Sequence, residues 1–252
     1  GVAALEEGIV TPSTQIIDRG RYTKISKDGP ACWIWNSSRG THGPENIISA
    51  LRDSCNYYFY EVGHSLGIEK LEEYAKMFGF GEKTGIELPS ESTGVVAGKR
   101  HTEEYLKGIV AMRIANVAGY NWGDLGGEEK DIYRDTAQFF MDNTDIESIL
   151  KGFKDLGIEI DRDTAYNTFY RYIKDNRWTE GKTLSAAIGQ AENTFTPIQM
   201  ASYTATLANG GTRYKTYLVD RVEDVEGNII TKTEPEVLDT IEIDPINHKA
   251  IM

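Results

Sequence analysis

Only two cysteines occur in this 252-residue chain, and several other features are missing altogether. No window approaches the unbroken apolar stretch that a membrane-spanning helix requires, so these residues hold no membrane segment. No cluster of Lys and Arg appears, and the formal charge is −12. Phosphate binding needs grouped cations to release counterions, so nucleic acid is excluded as a partner. No charged-then-apolar leader with a cleavage site opens the chain, and no internal repeat or low-complexity tract interrupts it. What remains, with 40% hydrophobic and 26% charged residues, is ordinary for a soluble globular protein.

Both ends read as interrupted helices. "GVAALEEG" looks like the last turns of a helix stopped at Gly8, and "DPINHKAIM" like a helix start with Asp244 as cap and Pro245 in the first turn. The sequence therefore reads as a piece truncated at both ends. Residues 11–40 are rich in Gly, Pro, Ser and Thr and predict loop with one short hairpin. Within them Trp33 and Trp35 alternate as on a strand with one buried face. Apolar residues at helical spacing follow in three short segments, Ile47/Ile48/Leu51, Tyr58/Phe59/Val62 and Leu71/Tyr74/Phe78. Ser54 falls at the joint between the first two, and the Tyr57–Tyr60 run reads as core and rim of the second.

A dense acidic and aromatic helical pattern, including "DIESILKGFKDLGIEI" and "DTAYNTFYRYIKD", predicts a helical insertion over about 112–175. "TPIQMASYTATLANGG" is an amphipathic helix with Pro197 in its first turn and Gly210–Gly211 at its end. Residues 216–232 alternate as two strands around "EGN".

Ser54-Cys55-Asn56 is weak evidence alone, because Ser and Asn commonly cap helices at such a joint. Its company is more specific. "AALEEGIVTP", "ALRDSCNYYFYEVGHSLG", "FGFGEKTGIELPSESTG" and "AAIGQAENTFTPIQMASYTATLANGG" occur in that order, and together they closely resemble the transpeptidase domain of class B penicillin-binding proteins.

That resemblance implies an α+β fold of the serine β-lactamase/transpeptidase type, of which this chain carries mainly the helical lobe plus a β-hairpin. It also implies serine acyl transfer from a peptidoglycan stem peptide, with β-lactams as inhibitors. "SCN" then corresponds to the S-x-N motif. Ser54 is expected to relay a proton to the leaving group, and Asn56 to hydrogen-bond the substrate backbone. Partners implied are the stem peptide, β-lactams and the cell-wall synthesis machinery, at the outer face of the cytoplasmic membrane. Two other readings share the ancestry: a non-catalytic module that only binds wall peptides, and a β-lactam sensor domain.

The other two family motifs each have a decoy. Ser148-Ile-Leu-Lys151 fits S-x-x-K but follows Ser54, whereas the family places its nucleophile before the S-x-N. Lys83-Thr84-Gly85 spells the third motif, yet it continues into "IELP", which matches a family loop and not the catalytic strand. The nucleophile and the K-T-G strand are therefore expected outside residues 1–252, and the chain alone is expected not to acylate. "IGQA" resembles the family's Ile-Gly-Gln-Gly loop, but Ala191 replaces its second glycine, which leaves the backbone turn there open.

Cys32, His42 and Cys55 lie within 24 residues, at spacings of ten and thirteen. Thiolate and imidazole suit Zn²⁺, with Asp18 the best-placed fourth ligand and His64 a rival. A structural zinc ranks first, a Cys32–Cys55 disulfide second and inert thiols third, because a disulfide leaves His42 unexplained. Bound metal would clamp Cys55 between Ser54 and Asn56. His101 and His248 read as solvated surface residues.

Overall fold

The computed structural model describes residues 1–252. It divides into two compact units, Gly1–Gly98 with Thr179–Met252, and Lys99–Trp178. No helix is long and apolar enough to cross a membrane.

In the first unit α1 (Val2–Glu6) leads to β1 (Ile16–Asp18), α2 (Trp33–Ser38), β2 (Gly43–Glu45), α3 (Ile47–Arg52), α4 (Asn56–Leu66) and α5 (Ile68–Met77). β1 and β2 pair antiparallel, with Asp18 opposite Gly43 and Ile16 opposite Glu45. The start of α3 is set by a reciprocal cap. Asn46 Oδ1 accepts from the Ile48 and Ser49 N–H groups at 3.0 Å each, and the Asn46 N–H donates to Ser49 Oγ at 3.1 Å. α4 stops at Gly67, whose φ of +80° suits glycine.

The tryptophans depart from the alternating pattern the sequence suggests. Trp33 and Trp35 sit in α2, where Cys32 is the N-cap, and Trp33 is 47% exposed. A two-residue alternation cannot distinguish a strand from six residues of helix, and here the helix wins. Of the first apolar stripe only Ile47 is buried, while Ile48 and Leu51 are exposed. α3 has under two turns, too few to present three apolar residues to one core.

The second unit holds α6 (Lys99–Val117), α7 (Gly127–Asp142), α8 (Ile146–Asp155), α9 (Arg162–Thr164) and α10 (Arg171–Asn176), the last two joined by a π-helical turn over Ala165–Tyr170. It begins before the acidic pattern seen in the sequence because α6 runs unbroken from Lys99. Phe140, Phe153 and Phe169 form its centre with ring centroids 5.0–5.9 Å apart. Burying each such ring contributes roughly 1.5–3 kcal/mol. Arg113 donates to Thr168 O at 3.0 Å in the π-turn.

The chain returns to the first unit with α11 (Glu180–Ala187), α12 (Pro197–Ala208), β3 (Thr212–Tyr214), β4 (Arg221–Glu223), β5 (Ile229–Lys232), β6 (Val237–Thr240) and α13 (Pro245–Ile251). β4 and β5 form the hairpin around Gly227, and β3 pairs with β6. α12 has Pro197 in its first turn and a box between Thr196 and Gln199. His248 is not a solvated surface residue, since its Nε2 lies 2.6 Å from Leu207 O at the end of α12. His101 is exposed.

The main core of this unit gathers Leu5, Val10, Tyr22, Cys32, Ile47, Cys55, Tyr58, Tyr60, Val62 and Leu184. Both cysteines thus belong to the core that supports the α3–α4 joint.

Candidate active site and an adjoining Asp-Cys-His-Cys cluster

One residue in an uncommon conformation makes the joint between α3 and α4. Asp53 closes α3, and Ser54 turns the chain at φ +52°, where an L-residue other than glycine is strained. Cys55 is extended again as the N-cap of α4, its N–H bonded to Ala50 O at 2.9 Å, and Asn56 is the first helical residue. The turn leaves Ser54 exposed and Asn56 half-buried. Both face an open pocket of about 310 Å³ whose wall also includes Leu51, Phe59, Ala187 and Ile188.

Gly63 on α4 shapes that pocket from behind. A Cβ at Gly63 would stand 2.2 Å from Ala187 Cβ, so only glycine lets α11 come close enough to bring Ala187 and Ile188 to the wall. Ala191, in the loop that follows, has φ +61°, so the backbone there takes the left-handed turn that a glycine would take without strain. Burial pushes up the phenol of Tyr60, one turn on from Asn56, and the Asn56 side chain acts against that rise. Chemically the pocket pairs a hydroxyl and a carboxamide with an apolar wall, an arrangement suited to a peptide backbone bearing a small side chain.

A separate cavity of about 230 Å³ is lined by Phe78, Phe80, Phe195 and Tyr203, with the Asn193 amide. It contains neither Ser54 nor Asn56.

Behind the joint the structure brings together Asp18, Cys32, His42 and Cys55, with one ligand atom of each within 4.8 Å of all the others. Asp18 Oδ1 accepts from the Gly20 N–H at 2.7 Å. Its Oδ2 lies 3.0 Å from the His42 N–H, 2.9 Å from His42 Nδ1 and 3.8 Å from Cys55 Sγ. Cys32 Sγ is 3.6 Å from His42 Nδ1.

Burial alone would raise the Asp18 carboxyl. The His42 and Gly20 backbone N–H groups, together with the His42 ring, outweigh it and hold the group below the usual range. Burial pushes the Cys55 thiol up, and the neighbouring Cys32 and Asp18 push the same way. Both cysteines are free thiols. His64 stands apart from the cluster, its Nδ1 2.8 Å from the Tyr22 hydroxyl.

Spacing and donor chemistry decide whether these residues fit a Zn²⁺. A tetrahedral ion with bonds of roughly 2.0–2.3 Å sets its donors about 3.3–3.8 Å apart; the Cys32–His42 and Cys55–Asp18 spacings of 3.6 and 3.8 Å fall in that range, the His42–Asp18 pair is closer at 2.9 Å, and all four donors lie within 4.8 Å of one another. The donor set of two thiols, an imidazole and a carboxylate is also a zinc set. The residues present fit the ion.

The decoy motifs lie elsewhere. Ser148 Oγ donates to Asp145 at 2.7 Å and Lys151 pairs with Asp155 at 3.0 Å on the exposed face of α8. Serine and lysine are thus engaged by separate aspartates. Lys83-Thr84-Gly85 is a loop, folded around Glu91, which accepts from the Thr84 N–H at 2.8 Å and the Thr84 hydroxyl at 2.7 Å. Sequence reasoning did not assign Leu51 or Phe59 to a site, because both read as ordinary apolar stripe.

A family model described as the penicillin binding protein transpeptidase domain matches residues 2–114 and 134–251. The chain belongs to this family of transpeptidase domains. It is 42% identical over 133 residues to stage V sporulation protein D of Bacillus subtilis (strain 168), covering 50% of this chain and 20% of that protein. It is also 26% identical over 210 residues to the peptidoglycan D,D-transpeptidase MrdA of Acinetobacter baumannii, covering 83% and 21%. The fold matches that of Pseudomonas aeruginosa PBP2, solved in complex with WCK 5153, at a TM-score of 0.62 and 22% identity, over 99% of this chain and 40% of that one. The architecture is thus the α+β transpeptidase fold. The chain spans about a fifth of the length of these curated relatives.

Proposed function

We propose that the chain is part of the catalytic domain of a peptidoglycan D,D-transpeptidase, which cross-links stem peptides by serine acyl transfer. The supporting observation is the pair Ser54 and Asn56, two positions apart, both opening onto one pocket beside an apolar wall. Asn56 holds the stem-peptide backbone through its amide, and Leu51, Phe59 and Ile188 flank the substrate's small side chain. Ser54 passes a proton toward the departing amine, a role worth roughly 10²–10⁴-fold in rate. The attacking serine and the carboxylate-binding strand come from outside residues 1–252, so these residues alone do not acylate. β-Lactams enter as mimics of the stem peptide. The protein acts at the cell envelope, as the peptidoglycan named in its relatives suggests, and with other wall-synthesis proteins, as the solved complexes of PBP2 with MreC and of a peptidoglycan synthase suggest.

The cluster is read as a structural Zn²⁺ site, with Asp18, Cys32, His42 and Cys55 as ligands. Bound there, the ion supplies a fixed cross-link and no chemistry of its own. Cys55 lies between Ser54 and Asn56, so holding its sulfur holds the turn that aims both side chains. Metal analysis of protein purified without chelator is expected to give one zinc per chain; absence of metal removes this part of the reading.

Peptide mapping of the full-length protein after exposure to penicillin tests the enzymatic reading. The penicilloyl adduct is expected on a serine outside residues 1–252. No adduct anywhere would leave a binding module without catalysis, and an adduct on Ser148 would overturn the assignment of motifs.

A further inference from the structure

The hairpin of β4 and β5 is closed at both ends yet covered on neither face. Its turn is held by the Asp224 carboxylate, which accepts from the Glu226 and Asn228 N–H groups at 3.0 and 2.8 Å and from the Asn228 amide at 2.8 Å. Its base is pinned too: the Leu218 N–H donates to the Glu87 carboxylate at 2.8 Å, and the Thr233 N–H to Asp220 O at 2.7 Å. Between base and turn every residue of both strands is exposed. A strand lying on a core alternates buried and exposed positions, and these do not. The sheet holds only these two strands, so each has an outer edge of unpaired backbone N–H and C=O groups.

Edge strands are usually guarded by charge or proline. β5 instead reads Ile229-Ile230-Thr231-Lys232, with Ile229 58% and Ile230 65% exposed. Val222 on β4, Val225 at the turn, and Leu218 and Val219 at the base are exposed as well. Single exposed apolar residues are ordinary, but a contiguous run marks a contact surface. β4 is the better guarded strand, because Arg221 pairs along it with Asp220 at 3.2 Å and Glu223 at 2.5 Å. The open edge is that of β5.

Charge selects what can lie there. The three cations of residues 214–242 are spent within the segment: Lys215 on Glu236 at 3.0 Å, Arg221 as above, and Lys232 on Glu234 at 3.9 Å. Asp224, Glu226, Asp239 and Glu242 form no ion pair. The surface is therefore apolar and acidic at once. A second copy of the chain would set carboxylates against carboxylates, which is unfavourable. By the register, Val222 and Thr231 share one face of the hairpin, and Arg221, Glu223 and Lys232 the other. A strand that alternates apolar and cationic residues continues both faces, since successive side chains point to opposite sides.

We propose that the outer edge of β5 is a docking site for an extended segment of another protein, in which apolar residues alternate with Lys or Arg and which adds as a third strand. Main-chain hydrogen bonds to the free edge supply affinity, and the unpaired carboxylates select the cationic partner. The proposal depends on neither the catalytic nor the zinc reading.

The test uses the full-length protein and two short fluorescent peptides of equal length, one alternating Lys and Val, the other Glu and Val. Affinity is read by anisotropy and position by backbone hydrogen exchange. The Lys/Val peptide is expected to bind at least about 10-fold more tightly than the Glu/Val peptide, to slow exchange over residues 229–232, and to weaken as salt rises. Ile230→Lys, a change at an exposed position, is expected to keep the wild-type unfolding midpoint and to lose at least about 10-fold of that affinity. Equal binding of the two peptides, no binding of either, or unchanged affinity in Ile230→Lys overturns the proposal. Binding of the Lys/Val peptide without slowed exchange in β5 also overturns it, as attraction of a cation to an acidic protein. Concentration-dependent self-association that Ile230→Lys abolishes overturns it in favour of a second copy. Should Ile230→Lys not fold, the two peptides and the exchange map on wild type decide.

Discussion

Replacing Ser54 with glycine separates what the turn costs from what the hydroxyl does. Ser54 sits at φ +52°, a conformation that disfavours an L-residue by about 1–2 kcal/mol. Glycine removes that strain but gives the unfolded chain extra freedom worth about 0.4–1 kcal/mol. The exposed hydroxyl is not part of the core. Ser54→Gly is therefore expected to be more stable than wild type by between about zero and 1.5 kcal/mol, the difference of these two ranges. Ser54→Ala keeps the strain and should unfold at nearly the wild-type midpoint. Urea denaturation of the three proteins, compared at unchanged slope, measures this directly. In the full-length protein both substitutions should slow acyl transfer by roughly 10²–10⁴-fold. The chain would then be keeping a strained serine where glycine is more stable, as expected of a functional position. A Ser54→Gly variant less stable than Ser54→Ala by more than about 1 kcal/mol refutes the strain argument, because it reverses the sign that the backbone predicts.

Ala191 tests the same physics at the neighbouring loop: with φ +61°, Ala191→Gly should raise the urea midpoint by the equivalent of between about zero and 1.5 kcal/mol. Tyr58 is fully buried with an unpartnered hydroxyl, so Tyr58→Phe should stabilise by about 1 kcal/mol at neutral pH, read by thermal or urea unfolding. Burial pushes the Tyr58 phenol up to about 12. Between pH 10 and 12 the unfolded chain has lost this proton while the folded protein keeps it, so stability falls as pH rises through that window. The loss amounts to about 2–3 kcal/mol, and the gap between Tyr58→Phe and wild type should widen by that amount over the same range.

The legible parts of the fold were those with strong local punctuation. α12 announces itself through Thr196, Pro197, Gln199 and Gly210, all of which act within one turn of a helix end. The Ser54 joint was visible because polar residues interrupt two apolar periods. The four clustered side chains stand out in the sequence by chemical type, cysteine and histidine being scarce here, and their convergence depends on something the sequence does not display. β1 and β2 pair across a long irregular segment, and only that pairing sets Asp18 beside His42. Trp33 and Trp35 misled because α2 is barely longer than one turn. His248 looked like a surface group because its partner, Leu207 O, lies 41 positions away.

The central claim is that Ser54 and Asn56 form the working wall of a transpeptidase pocket, while the S-x-x-K of α8 plays no part. The most direct measurement is the second-order rate of acylation of the full-length protein by fluorescent penicillin, with Asn56→Ala and Ser148→Ala compared against wild type. The account predicts a fall of at least about 10²-fold for Asn56→Ala, as for loss of an oriented hydrogen-bonding group in a reaction site, and an unchanged rate for Ser148→Ala. An unchanged rate in Asn56→Ala, or lost labelling in Ser148→Ala, would contradict it.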